Sequence, residues 1–164
     1  MGDPQERTVG KAFVAGLIVG EGCFCLAAQN RKATTSRPER LSIYPSFFIG
    51  MNDEETMTLL YNTLRAEGIG CYWSPRYEYH HKKLGDYTQS RIQVNGMKRI
   101  EKLIRWLRDD LTGEKKQAAD LVMEFIESRK ANGNYKMPYS ENEKEIVRKL
   151  RAVNGTSPRK RNPL

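Results

Sequence analysis

Apolar side chains recur along this chain at two spacings, and the changes from one spacing to the other mark its elements. From Val9 to Gly20 or Glu21 the sequence is mostly apolar, and the small residues Ala12, Gly16 and Gly20 return every fourth position, on one face of a helix. Thr8 stands where the N-cap of that helix is expected. The next stretch, CFCLAAQNR, alternates: Phe24, Leu26 and Ala28 share one face of a strand, and Cys23, Cys25, Ala27, Gln29 and Arg31 share the other. A polar, basic loop from Asn30 to Arg40 leads into RLSIYPSFFIGM, where Leu41, Ile43, Pro45, Phe47 and Ile49 oppose Arg40, Ser42, Tyr44, Ser46 and Phe48. Pro45 cannot donate to a ladder, which favours an edge position or a bulge.

Helical spacing then resumes. Asn52 followed by Glu55 has the form of a capping box, and Met57, Leu60, Tyr61 and Leu64 make one stripe ahead of Gly68 and Gly70. CYWSPRYEY and DYTQSRIQV flank the basic HHKKLG segment and predict a second hairpin, interrupted by Pro75. Three more helices follow. Ile100, Leu103, Ile104 and Leu107 mark one; Thr112 opens the next, with Ala118, Leu121, Val122, Phe125 and Ile126 inward; Ser140 and Glu143 cap the last, with Ile146, Val147, Leu150 and Val153 inward. This order predicts an α+β fold, with antiparallel strands covered by helices on one side and free on the other. Residues 1–154 are expected to form one domain and 155–164, GTSPRKRNPL, a basic tail.

Composition changes that picture in one respect. Lys plus Arg number 28 against 20 Asp plus Glu, a net charge of +8, which favours a polyanionic partner. Three cysteines, Cys23, Cys25 and Cys71, cannot all pair within the chain; no CxxC occurs and the two histidines are adjacent, so neither a disulfide framework nor a structural zinc site is supported. The longest apolar run, Phe13 to Val19, falls far short of the roughly 20 residues that cross a bilayer, and the amino end lacks a signal-peptide layout. An intracellular, reducing location without membrane contact is the expectation, cytoplasm and organelle both being open.

Glu21 is the awkward residue of the first helix, an acid at the negative end of the helix dipole, where it is disfavoured unless a cation lies near. One carboxylate makes a poor Mg²⁺ site. If the small face of the helix packed on the same face of a second copy, two-fold symmetry would bring two Glu21 side chains together. With backbone carbonyls and phosphate oxygens, they could then hold divalent ions beside scissile phosphates.

VAGLIVGEG, Val14 to Gly22, resembles the signature of LAGLIDADG homing endonucleases. Val14 stands at the leading aliphatic position, Ala15, Gly16, Leu17 and Ile18 match as they are, Gly20 fills a small position, and Glu21 is the closing acid. Val19 departs, since an acid is usual there. The order helix, hairpin, helix, hairpin, helix over about residues 9 to 130 looks like one repeat of that family, and LTGEKKQAADLV resembles the lysine-containing stretch of single-motif members. The resemblance implies an αββαββα core with a curved antiparallel DNA-binding sheet and extra C-terminal helices. It implies a homodimer joined through Ala12, Gly16 and Gly20, and Mg²⁺, with Mn²⁺ or Ca²⁺ able to take the same sites, at Glu21 and the Gly20 carbonyl. Glu114 occupies the place where a lysine is expected, so either Lys115 or Lys116 supplies that charge.

An antiparallel ribbon fits the major groove. The residues expected to contact DNA are Cys25, Ala27, Gln29 and Arg31 of the first strand, with Arg40, Ser42, Tyr44 and Ser46 of the second. Tyr72, Ser74, Arg76, Thr88 and Ser90 are added from the second hairpin, with Lys32, Arg37, Lys82 and Lys83 on phosphates. The implied activity is metal-dependent hydrolysis of both strands of a long, nearly palindromic site, leaving 3′ overhangs. An intron RNA maturase and a DNA-binding protein that does not cut are the alternatives on the same scaffold.

Overall fold

The computed structural model describes residues 7–81, 83, 85–133 and 137–155. Lys82 and the tail beyond Gly155 lie outside the described residues. In chain order the elements are α1 (Lys11–Glu21), β1 (Gly22–Arg31), β2 (Arg40–Met51), α2 (Glu54–Ala66), β3 (Tyr72–His81), β4 (Gly85–Asn95), α3 (Met97–Leu107), α4 (Gly113–Ala131) and α5 (Glu141–Val153). The four strands form one antiparallel sheet in the order β1-β2-β4-β3, two hairpins joined through β2 and β4.

The helices pack on one face of this sheet. Val14, Ala15 and Ile18 of α1, Met57, Leu60 and Leu64 of α2, Ile100 to Leu107 of α3 and Val122, Phe125 and Ile126 of α4 enclose Phe24, Phe47, Ile49, Ile92 and Val94. The alternation of β1 and β2 places the predicted residues inward, and their register runs unbroken from Gly22↔Ile49 to Arg31↔Arg40. Pro45 lies where β4 stops: its carbonyl accepts from the Gly96 N–H at 3.1 Å, and it has no N–H to leave over.

Two helix starts differ from the predicted ones. α1 begins after Gly10, with no side-chain cap, because the Thr8 position precedes the first turn by two residues. For α2 the cap is Asp53, one residue after Asn52: its carboxylate accepts from the N–H groups of Glu55 and Thr56 and from the Thr56 hydroxyl. The Ser140 and Glu143 capping box of α5 forms as predicted. Leu121 of α4 is half-buried, in a groove of about 590 Å³ against α5, while Ala119 and Met123 join the core.

The last two helices brace the first hairpin. Beyond the end of β4, the Tyr139 hydroxyl replaces a neighbouring strand, accepting from Ile43 N–H at 2.8 Å and donating to Ile43 C=O at 3.1 Å. Tyr139 is positioned by Arg129, whose guanidinium lies 4.4 Å from its ring and donates to the Met137 and Pro138 carbonyls. Arg129 and Glu143 form a buried ion pair, 2% and 0% exposed, at 3.2 Å. Burial pushes the Glu143 carboxyl up, but the Ser140 N–H, the Arg129 charge and the Ser128 hydroxyl outweigh it and hold the carboxyl below its ordinary value.

Candidate nucleic-acid interface

The sheet face away from the helices is set by strand parity. It displays Cys23, Cys25, Ala27, Gln29 and Arg31 of β1, Arg40, Ser42, Tyr44, Ser46, Phe48 and Gly50 of β2, Tyr87, Gln89, Arg91, Gln93 and Asn95 of β4, and Tyr72, Ser74, Tyr77 and Tyr79 of β3. None of these is Asp or Glu. The face therefore offers amides, hydroxyls, aromatic rings and arginines to a ligand without a carboxylate to repel an anion.

The first hairpin puts its expected residues on this side. Gln29, Arg31 and Arg40 are exposed, and Cys25, Ala27, Ser42 and Tyr44 are half-buried. Arg31 and Arg40 stand directly opposite each other and border, with Lys144, a cleft of about 670 Å³. Lys32 and Arg37 are exposed in the loop, which Thr34 and Arg37 close by a reciprocal pair of backbone hydrogen bonds. Ser46 departs from expectation. It faces this side but is 3% exposed, its hydroxyl donating to Asn95 Oδ1 at 2.8 Å and receiving Gln93 Nε2 at 3.4 Å.

The second hairpin requires corrections. Tyr72 and Ser74 are on the helix-free face, but a register shift between Ser74 and Tyr77 inserts one residue and inverts parity. Tyr77 and Tyr79 then join that face and Arg76 turns from it. Ser90 points to the helices: it is 4% exposed and accepts from Trp73 Nε1 at 2.7 Å, while Trp73 packs on Tyr61 of α2. Thr88 shares the side of Ser90. Gln89, Arg91 and Gln93 also stand on the helix-free face. Their signal was in the sequence, since Ile92 and Val94 in SRIQV alternate with them and must be inward. Lys83 is exposed at the tip.

Glu21 closes α1 and is exposed, and the chain turns into β1 at the very next residue. Gly22 permits that junction: a Cβ there would lie 2.8 Å from both Ile18 O and the Phe47 ring. Because α1 ends here, the Gly20 carbonyl has no helical partner. Ala12, Gly16 and Gly20 are exposed along one side of α1, next to Phe13, and a Cβ at Gly16 or Gly20 would meet nothing within 4 Å. Val19 is half-buried against the core.

The two candidate lysines separate. Lys115 is half-buried and near enough to Cys23 for its charge to act on the thiol, whereas Lys116 is exposed in the groove between α4 and α5. Burial raises the Cys23 thiol, with Lys115 and Arg91 partly opposing it; burial pushes Cys25 up to about 11. Neither is a thiolate at neutral pH, which removes both as nucleophiles. Among the described residues no three His, Cys, Asp or Glu cluster to hold a metal, and no helix is long and apolar enough to cross a membrane.

Neither a family model nor a curated protein matches this sequence. Solved structures do match its fold. The homing endonuclease I-CvuI, in complex with its target in the presence of Ca, aligns with a TM-score of 0.61 at 17% identity, covering 94% of this chain and 86% of that one. For the LAGLIDADG homing endonuclease I-SmaMI bound to cleaved DNA the TM-score is 0.60 at 14% identity, with 97% and 52% covered. For the LAGLIDADG homing endonuclease I-GzeII in complex with DNA target it is 0.58 at 15%, with 92% and 45% covered.

The chain has the LAGLIDADG homing endonuclease fold. It spans about half the length of I-SmaMI and I-GzeII. Within that fold, the stretch Val14 to Gly22 occupies α1 and its junction with β1.

Proposed function

We propose that this protein is a homodimeric, sequence-specific DNA endonuclease that cuts both strands of a long, nearly palindromic duplex site and leaves 3′ overhangs. One observation carries the reading: a helix-free, carboxylate-free sheet face runs up to the exposed Glu21, at the end of an unpartnered small-residue helix face. β2, with 12 residues, extends about 40 Å, the length of roughly 12 base pairs. A pair of protomers would cover about twice that.

A single chain supplies one carboxylate and the Gly20 carbonyl, so its residues fit a divalent cation only as half of a shared site. Mg²⁺ bound there, or Mn²⁺ or Ca²⁺ in its place, would supply a lowered water pKa and neutralise phosphate charge. Glu21 anchors and orients. Lys115, rather than Lys116, lies on the sheet side and stabilises charge on the scissile phosphate. Gln29, Arg31, Arg40, Ser42 and Tyr44 reach base edges, and Lys32 and Arg37 hold phosphates. Val19, an apolar residue at a position where the resemblance implies an acid, favours the alternative of a binder that does not cut.

The test is incubation of the protein with randomised duplex DNA and Mg²⁺. Defined double-strand breaks are expected, abolished by Glu21→Gln with dimerisation and binding retained. Lys115→Ala should slow cleavage by on the order of a hundredfold, and Lys116→Ala should not. Tight sequence-specific binding without product from the unaltered protein would support the non-cutting alternative; preference for structured intron RNA would support a maturase.

A further inference from the structure

Arg91 occupies an unusual place on the helix-free face. It lies on β4, an interior strand, opposite Gly50 of β2 on one side and Ser74 of β3 on the other. Its Cζ is 4.2 Å from the Phe48 ring centroid and 4.3 Å from that of Tyr77, with Tyr79 at 5.8 Å. Its charge also acts on the Tyr79 hydroxyl. Gly50 makes room for this arrangement: a Cβ there would stand 2.7 Å from Gln89 Oε1 and 3.2 Å from the Tyr79 hydroxyl. No ion pair joins Arg91 to a described carboxylate, and its Nε is shut from solvent without a hydrogen-bond partner.

A guanidinium held between aromatic rings loses hydration and rotamer freedom on its faces, while its in-plane N–H fork stays available. With Nε enclosed, the remaining donors are those of the terminal Nη atoms. They form a planar, donor-only fork. Guanine presents two acceptors, O6 and N7, in the major groove; adenine presents an acceptor and a donor, which such a fork does not match. Phosphate contacts suit long side chains on the rim, such as Lys32 and Arg37. Arg91 is instead on the floor of the sheet, between Gln89 and Gln93 on the same strand face, where base edges would pass.

We propose that Arg91, caged by Phe48, Tyr77 and Tyr79, is a specificity-determining residue that reads one guanine in each half of the duplex site. This rests on the duplex-binding part of the function proposed above and not on cleavage.

Selection of bound sequences from randomised duplex DNA at fixed salt tests it. The unaltered protein should select a guanine at one position in each half-site, related by the dyad. Arg91→Lys keeps the charge and loses the fork; its preference at those two positions should fall roughly ten- to a hundredfold, with the rest of the motif intact. Tyr77→Leu opens the cage and should relax the same positions, which keeps the test decisive if circular dichroism shows Arg91→Lys unfolded. In Arg91→Ala, which removes the charge, an unchanged motif with weaker binding and a shallower salt dependence would assign Arg91 to phosphate and overturn the proposal. If the unaltered protein selects no sequence, the duplex-reading function falls with it.

Discussion

The two hairpins share a sheet and little else. β1 and β2 pair in one register from end to end; their outer half is fastened from outside by Tyr139, and the inner end of β1 by Asn154, whose side-chain amide donates to Phe24 C=O at 2.8 Å. β3 and β4 change register at Pro75 and Arg76, and what holds their outer half is local: Tyr79 stacks on Tyr87 at 5.0 Å, and His80 pairs with Asp86 at 3.0 Å. Long-range bracing fixes the first ribbon; cross-strand side chains fix the second.

That contrast can be broken first at the brace. Glu143→Ala removes the carboxylate that balances the buried Arg129 charge and should cost about 3–5 kcal/mol in urea unfolding. Because the folded carboxyl is held below its ordinary value of 4.5, its contribution is complete above that pH and is lost as pH falls through the folded value. Glu143→Gln should lack this acid-side component; an identical acid profile in the variant would remove Glu143 from the account.

Next in size is Ser90→Ala in the second hairpin. It leaves Trp73 Nε1 unpaired and should destabilise by about 1–3 kcal/mol, with the selected DNA sequence unchanged. Altered sequence preference at full stability would return Ser90 to the helix-free face. Tyr139→Phe should cost about 1 kcal/mol and speed amide exchange at Ile43, leaving β3 and β4 protected as before. Equal loosening of both hairpins would mean that the brace serves the whole sheet. The smallest effect concerns His80, which the Asp86 hydrogen bond and charge hold above 6.5. Its ion pair persists below that pH and disappears as pH rises through the folded value; Asp86→Asn should bring the imidazole titration back down in an NMR measurement.

The same contrast explains what could be read in advance. Period-two alternation in β1 and β2 survives because no residue is inserted and one face is fully buried, so Phe24, Leu26, Ile43, Phe47 and Ile49 are inward as read. In β3 one extra residue reverses the faces; Pro75 marks the interruption in the sequence, but not the face on which the residues beyond it stand. Ser90, expected among the DNA contacts of the second hairpin, has instead a partner in Trp73, 17 residues away in sequence. Glu21 and the small residues of α1 were visible because their spacing is helical and contiguous. Arg91 was not, since the rings around it come from two other strands.

The bulge in β3 has a consequence for how copies of this protein can meet. A sheet ends in rows of unpaired backbone groups, and a straight edge strand invites another chain to add to it indefinitely. Here α4 and α5 lie beside the β1 edge, with Asn154 occupying the Phe24 carbonyl. At the opposite edge, Pro75 removes a donor and the inserted residue bends the strand out of line. Both routes to open-ended strand addition are therefore obstructed, one by packed helices and the other by the proline and the bulge.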